Sequence, residues 1–316
     1  MILNTGRHLL QSEQWAEFQK TIGNQVLLRS GLGWQYLAIV ERGDGRAGKY
    51  FKRLYTPYGP SYKDTQALKK ALDDLENQAK KLGADYVRVE PLAIDKKQIL
   101  SSLSGYKKTA HSFQPVITQL IDLNRPFEDV LKDTTKTNRY LWKKAPQNGI
   151  KFSQSYKSAE LDKFLEMMNA TSARTKAAFK PDSYYKALID SFGSKKAAGV
   201  AYASVDNDIL VGAIYIDDVE AKIRYYLFAG SFDKARKYSA NSPLLMYLIE
   251  GAKKRGFKYF DLFGVSPIDD ANHRWAGLSK FKRSFGGFEV RYNGTYEKPL
   301  KKAKYKAMSL ARKLAK

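Results

Sequence analysis

The chain has 316 residues, enough for two cores of ordinary size. It is 43% hydrophobic and 13% aromatic, so it can fold without crosslinks, and the absence of cysteine excludes disulfides, thiolate catalysis and Cys-based zinc sites. A net charge of +23, from 55 Lys plus Arg against 32 Asp plus Glu, favours polyanionic partners, nucleic acid or an anionic membrane face.

The first stretch, "MILNTGRHLLQSEQWAEFQK", lacks the charged-then-apolar pattern of a signal peptide, and no uncharged apolar run reaches about 18 residues. A cytoplasmic protein is expected, peripheral at most to the inner face of the plasma membrane. Residues 13–22 read as a helix capped near Ser12, with Trp15, Phe18 and Ile22 on one face. "WQYLAIV" and "KYFKRLY" read as a hairpin, its turn at "ERGDGRAG". From Asp64 to Leu82 the spacing of Leu68, Ala71, Leu72, Leu75 and Ala79 predicts an amphipathic helix ending at Gly83, followed by the strand "DYVRVEPL". "EDVLKDTTKTNRYLWKKAPQNG" reads as one basic helix. Its Lys136, Arg139, Lys143 and Lys144 are candidate nucleic-acid contacts or a merely solvated face. "NSPLLMYLIEGAKKRG" then "FKYFDLFG" repeats the helix-then-strand grammar of "KKLGADYVRVEP", with antiparallel strands before the helix both times. The expected fold class is α/β (α+β), two similar domains over 1–113 and 114–297, with a basic helix at 298–316 packing on the first. Tyr305, Met308, Leu310 and Leu314 are its expected docking residues.

Familiar motifs fail on their context. Gly43–Lys49 satisfies both G-x-G-x-x-G and G-x-x-x-x-G-K, but a β-rich run follows where a phosphate loop needs a helix, and Tyr50 replaces the magnesium-binding Ser or Thr. His8, His111 and His273 lie in no metal-binding spacing, so no metal site is expected, and no G-x-S-x-G elbow occurs. Asp269 and Asp270 follow Pro267 in a loop, where turn formation is the common use of such a pair. Glu90 ends an apolar strand just before Pro91; it is either a ligand contact in a cleft or a plain strand end.

The order "YYLFAGS", "FDKARKYSANS", "PLLMYLIEGAKKRG" is the strand, loop and helix of an acetyltransferase-like (GNAT) domain. The loop Ala235–Ser242 carries no glycine for close backbone approach to a pyrophosphate, so an acyl donor other than acetyl coenzyme A is expected. At "SEQWAEFQK", "YTPYGP", "RVEP", "QPVITQLIDL", "KTNRY", "KKRGFKYFDLFG", "WAGLSKFKRSFGGFEV" and "GTY", in family order, the chain resembles the Fem-type peptidoglycan aminoacyltransferases. It is closest to the FemX type, because the long helical arm of FemA and FemB has no counterpart here.

The resemblance implies two tandem GNAT-like domains. It also implies transfer of an amino acid from aminoacyl-tRNA, with no other cofactor, to the stem peptide of a wall precursor. That precursor is UDP-MurNAc-pentapeptide or a lipid-linked form. It places the family's catalytic Phe-Lys pair on Phe281 and Lys282, with Lys282 as the donor to the oxyanion; as bare residues, "FKRSFGG" is equally a glycine-rich bend. Arg174 falls on the family arginine for the precursor diphosphate, and Tyr226 in the tyrosine-rich strand of the precursor pocket, with Phe228 one alternation along the same face. A family lysine expected near "WAEFQ" is replaced by Glu17 and Gln19. Two other functions stay open: a GNAT-fold transferase acting on protein N-termini or lipids, and a basic tRNA- or membrane-binding relative without catalysis.

Overall fold

The structure, a computed structural model, describes residues 7–43, 50–92, 99–176 and 178–314. The chain divides into two units, Met1–Val116 with Arg291–Lys316, and Ile117–Val290.

In the first unit, α1 (Glu13–Thr21) starts at Ser12, whose hydroxyl accepts from the Trp15 amide at 3.0 Å, and it buries Trp15 and Phe18. Strands β1 (Gln25–Gly31), β2 (Trp34–Arg42) and β3 (Lys52–Thr56) run antiparallel in turn, so the predicted hairpin forms with Ile39 opposite Tyr55. Residues 44–49 of the glycine motif read as its turn lie outside the described residues. After β4 (Ser61–Tyr62), α2 (Thr65–Lys81) is capped by Asp64, whose carboxylate accepts from the Ala67 amide at 2.8 Å. The helix buries the predicted stripe Leu68, Ala71, Leu72, Leu75 and Ala79 and leads to β5 (Tyr86–Val89), parallel to β3, and then β6 (Lys107–Lys108).

The second unit opens with β7 (Ile117–Asp122). The basic segment read as one helix is two, α3 (Phe127–Asp133) and α4 (Lys136–Lys144), because Thr134 is extended and the Thr135 hydroxyl caps the second by accepting from the Asn138 amide at 3.4 Å. There follow β8 (Lys151–Ser155), α5 (Asp162–Thr175), α6 (Asp182–Gly193), β9 (Ala198–Val205), β10 (Asp208–Asp218) and β11 (Ile223–Ser231). The unit ends with α7 (Ala235–Tyr238), α8 (Asn241–Lys254), β12 (Tyr259–Gly264), α9 (Ala276–Arg283) and β13 (Phe288–Arg291). Its 7-stranded sheet has the order β13-β7-β12-β11-β10-β9-β8. Leu244, Leu245, Leu248 and Ile249 of α8 pack with Ala213, Tyr215 and Phe260 of the sheet in its core.

The last elements, β14 (Tyr296–Pro299) and α10 (Lys302–Leu314), rejoin the first unit. β14 sits between β5 and β6, with Tyr296 opposite Val89, completing a 7-stranded sheet of order β1-β2-β3-β5-β14-β6 with β4 on β2. Residues 291–297, read from sequence with the second domain, fall in the first unit, where Tyr296 and Glu297 begin β14. On α10, Met308 is buried and the Tyr305 hydroxyl donates to Glu297 at 2.6 Å, but Leu310 is 60% exposed. At about 100° per residue Leu310 points away from the face that Tyr305 and Met308 share, so the docking role expected of it fails.

Candidate active site at the open end of the second sheet

Each unit contains two parallel strands joined by a helix, the repeated grammar of the sequence, but the two pairs end differently. In the first unit β3 and β5 stay paired from Arg53–Tyr86 to Thr56–Val89. Glu90 then closes that end: its carboxylate accepts from the Tyr55 hydroxyl at 2.7 Å, the Gln114 amide at 3.1 Å, the Tyr58 amide at 3.4 Å and the Thr295 hydroxyl. With both oxygens engaged and the side chain buried, Glu90 is a structural hub, neither of the two readings of its position, a ligand contact or a plain strand end.

In the second unit β11 and β12 pair only from Ile223–Tyr259 to Tyr225–Asp261, although β11 continues to Ser231. Beyond Asp261 β12 keeps β7 as its partner, but the register slips by one residue, so that Gly264 comes opposite Thr118. Among the described residues β11 past Tyr225 thus has no strand partner on its β12 side, and a wedge opens between two strands that began as neighbours. An unpaired edge beside a bulge can receive an extended chain.

Lys282 lies on α9, which the stretch "SKFKRSFGG" forms in part. Its residue is 6% exposed, and its ammonium donates to the Gly264 carbonyl at 2.8 Å, at the end of the diverging strand. That bond uses one of three N–H donors. The helix is held at its middle and at its C-terminal end. Ser279 accepts from the Ser266 amide at 2.7 Å, and the Ser284 carbonyl accepts from the Thr135 amide at 2.9 Å and the Asn138 side chain at 3.0 Å. Arg283 forks onto Glu289 and donates to the Ser266 carbonyl at 2.5 Å. Phe281 packs against the core and meets Phe285 edge-on at 5.1 Å, so it anchors the helix from below while the next residue carries the charge.

Asp261, a residue the sequence reading passed over, organises this end. Its Oδ1 accepts from the Phe263 amide at 2.7 Å and from the Thr118 hydroxyl. Phe263 takes φ +62°, a conformation costly for a non-glycine residue, and the Asp261 bond holds it there so that Gly264 presents its carbonyl to Lys282. Burial pushes the Asp261 carboxyl up to about 6, against the hydrogen bonds from Thr118 and Phe263 and the Lys282 charge. Burial pulls Lys282 down to about 8, opposed by the Asp261 charge. Between these values both groups are ionised and hold each other so. The signal in the sequence was a single carboxylate in the apolar strand "FKYFDLFG".

Tyr226 and Phe228 do not share a face. The register of β10 and β11 slips between Ile214 and Tyr215, which face Phe228 and Tyr226 respectively, so Leu227 is an extra residue and alternation breaks there. Tyr226 packs on the core cluster with Tyr215, while Phe228 meets Tyr185 of α6 edge-on at 5.1 Å. Arg174, at the end of α5, donates through Nη1 to Asp233 at 2.9 Å and reaches the Ser231 carbonyl at 3.5 Å, at the far end of the open β11 edge. Asp233 is largely exposed, so this ion pair is weak and an incoming dianion can displace it.

On α4, Lys136 and Lys143 are exposed, and Tyr140 between them is 59% exposed. Lys144 donates to Gln147 at 2.8 Å. Arg139 donates to the Lys132 and Thr134 carbonyls, closing the end of α3, so part of its fork is structural. Of the residues standing where the family lysine was expected, Glu17 pairs with Lys20 at 2.7 Å and the buried Gln19 accepts from Asn24 at 2.7 Å.

Residues 97–209 and 206–313 match the FemAB family. The chain belongs to the FemAB family. A FemAB relative, the lipid II:glycine glycyltransferase of Staphylococcus haemolyticus (strain JCSC1435), is 21% identical over 384 residues, covering 94% of this chain and 89% of that protein. The crystal structure of FemX superposes with a TM-score of 0.82 at 17% identity, covering 96% of this chain and 95% of that one. A tandem GNAT protein from the clavulanic acid biosynthesis pathway gives 0.52 at 13% identity, covering 87% and 83%. The fold is α/β, two tandem GNAT-like domains, and as a FemAB protein the chain is an aminoacyltransferase.

Proposed function

We propose that this FemAB protein transfers the aminoacyl group of an aminoacyl-tRNA to an amine on the stem peptide of a peptidoglycan precursor, building a cross-bridge. The observation that carries the reading is the buried Lys282 ammonium, held by one bond to Gly264 beside the open β11 edge. An aminoacyl ester is already activated, so the acceptor nitrogen attacks its carbonyl carbon directly. The C–N bond forms, the carbonyl oxygen takes negative charge, and collapse breaks the ester C–O bond. The ribose oxygen leaves with a proton, and the amine nitrogen gives one up. Lys282 donates to the oxyanion, and no protein nucleophile is needed.

Further features support the donor. The +23 charge and the exposed Lys136, Tyr140 and Lys143 suit an RNA partner, cations tracking phosphates and the ring offering a stacking face. The loop where coenzyme A members cradle pyrophosphate has its amides engaged: Ala235 donates to Phe232, Arg236 to Asp233, Ser239 to Arg236 and Ala240 to Ala235. The expected result is tRNA binding that weakens steeply with salt, and negligible binding of acetyl coenzyme A. Tight coenzyme A binding without tRNA binding would overturn the donor. The relative that acts on lipid II supports a diphosphate-linked acceptor, and Arg174, whose Nη1 pairs with the exposed Asp233 and whose Nη2 reaches the Thr171 hydroxyl only at 3.5 Å, can turn its fork to such a diphosphate. Arg174→Ala should raise KM for the precursor and leave that for charged tRNA nearly unchanged. Substituting Lys143 and Lys144 with alanine should do the reverse; equal effects on both substrates would contradict the division.

Lys282 must carry its proton to stabilise an oxyanion, so kcat should fall as pH rises through about 8. In Asp261→Asn the amide oxygen still accepts from Phe263, but the charge that raises the Lys282 pKa is gone, so the falling limb should move to lower pH. A limb that stays in place contradicts the coupling of the two groups.

A further inference from the structure

The first unit carries a groove of about 600 Å3 between α10, β6 and the end of β14. Its floor is apolar: Pro299, the Tyr305 ring, and Leu310 at its rim. Tyr305 spends its hydroxyl on Glu297, so the ring is what it presents. Lys107, Lys302 and Lys306 stand around this floor. The other lysines of the region are neutralised. Lys301 and Lys304 pair with Asp85 at 3.0 and 3.1 Å, and Lys298, also in the groove, pairs with Glu76 at 2.7 Å. Lys107, Lys302 and Lys306 form no ion pair among the described residues. Three ammonium groups around one apolar depression repel one another and are relieved by an anion whose uncharged part can lie on the floor.

We propose that this groove seats the phosphate headgroup and adjoining chain of an anionic phospholipid, docking the first unit on a lipid surface. The chemistry favours lipid over RNA. A depression of this size is too small for a nucleic acid helix, and its lining holds no arginine for a planar fork on phosphates or bases. Lysines that line a mainly apolar depression, next to an exposed leucine, suit the boundary between headgroups and acyl chains, where a lysine stem can lie on apolar surface with its head in the polar layer. No helix of the described residues is long and apolar enough to cross a membrane. The inference stands on the groove alone and is independent of the role given to Lys282.

The test is flotation of the whole protein with vesicles of phosphatidylcholine containing phosphatidylglycerol, against pure phosphatidylcholine, at constant ionic strength. The expected result is binding to the anionic vesicles that falls about 100-fold when Lys107, Lys302 and Lys306 are all changed to glutamine. A control triple, Lys69, Lys70 and Lys80 to glutamine on the exposed face of α2, removes the same charge and should change binding only a few-fold. Leu310→Ser, which leaves the charge untouched, should weaken vesicle binding several-fold and leave tRNA binding unchanged. Equal losses in the two triples would reduce the effect to net charge and overturn the groove. If the groove triple loses tRNA binding while keeping vesicle binding, the surface is an RNA contact and the proposal fails. Melting temperatures near wild type are expected for all three variants, because every substituted side chain is exposed.

Discussion

Lys282→Ala should lower kcat by about 10²–10³-fold with little change in affinity for either substrate, because a donor aimed at the oxyanion acts only in the transition state. That corresponds to about 2.7–4 kcal/mol of transition-state stabilisation. The size of the effect follows from where the ammonium sits. It is buried, it is fixed by the Gly264 carbonyl at 2.8 Å, and the Asp261 charge keeps it protonated, so it pays no reorganisation when the intermediate forms. A phosphate-binding lysine would raise KM instead, and a surface lysine would change nothing. Lys282→Arg keeps the charge, but a planar guanidinium cannot place a donor at the same point while also reaching Gly264, so it should rescue weakly. Steady-state kinetics on both substrates, with melting temperatures matched to wild type, separate these outcomes.

Gly287→Ala should destabilise the second unit by about 3 kcal/mol or more. Gly287 has φ +81°, and a Cβ there would stand 2.1 Å from the Leu120 carbonyl oxygen, a backbone atom that cannot swing aside. Gly286, at φ +78°, would press a Cβ to 2.7 Å from that of Asp133, and its own carbonyl accepts from the Gln119 side chain at 2.6 Å. The glycine pair therefore lets the chain turn from α9 into β13 directly against β7, which fixes where α9 and Lys282 stand. Denaturant titration of the variant measures the loss; a value within about 0.5 kcal/mol of wild type would contradict the close approach.

Much of the architecture was legible because it depends on short-range patterns. The stripe from Leu68 to Ala79 has helical spacing and is buried as read, and the repeated helix-then-strand grammar marks the same parallel crossover in both units. What escaped the reading depends on events that spacing does not record. One inserted residue, Leu227, sends Tyr226 and Phe228 to opposite faces. A threonine pair divides one apparent helix into α3 and α4. Glu90 lost its apparent availability to partners as distant in sequence as Thr295.

The candidate site was legible in part. The family resemblance singled out Lys282, and its neighbour Phe281 proved to be the residue that anchors the helix. Asp261 went unread because a carboxylate in an apolar strand reveals its purpose only when Thr118, Phe263 and Lys282 converge on it. The contrast between the closed end of the first unit and the open end of the second is likewise a matter of register. Both strands read alike, and only the pairing shows that one stays shut and the other diverges.

The most direct test of the proposed function is the mass of the product. The protein is incubated with mixed charged tRNAs and a stem pentapeptide in nucleotide-linked and, separately, lipid-linked form, and, in parallel reactions, with acetyl coenzyme A and the same acceptors. The account predicts a gain of one or more amino-acid residue masses with charged tRNA, lost in Lys282→Ala, and no acetylation with acetyl coenzyme A. An acetyl gain, or an unchanged acceptor in the presence of every charged tRNA and both nucleotide- and lipid-linked precursors, would contradict it.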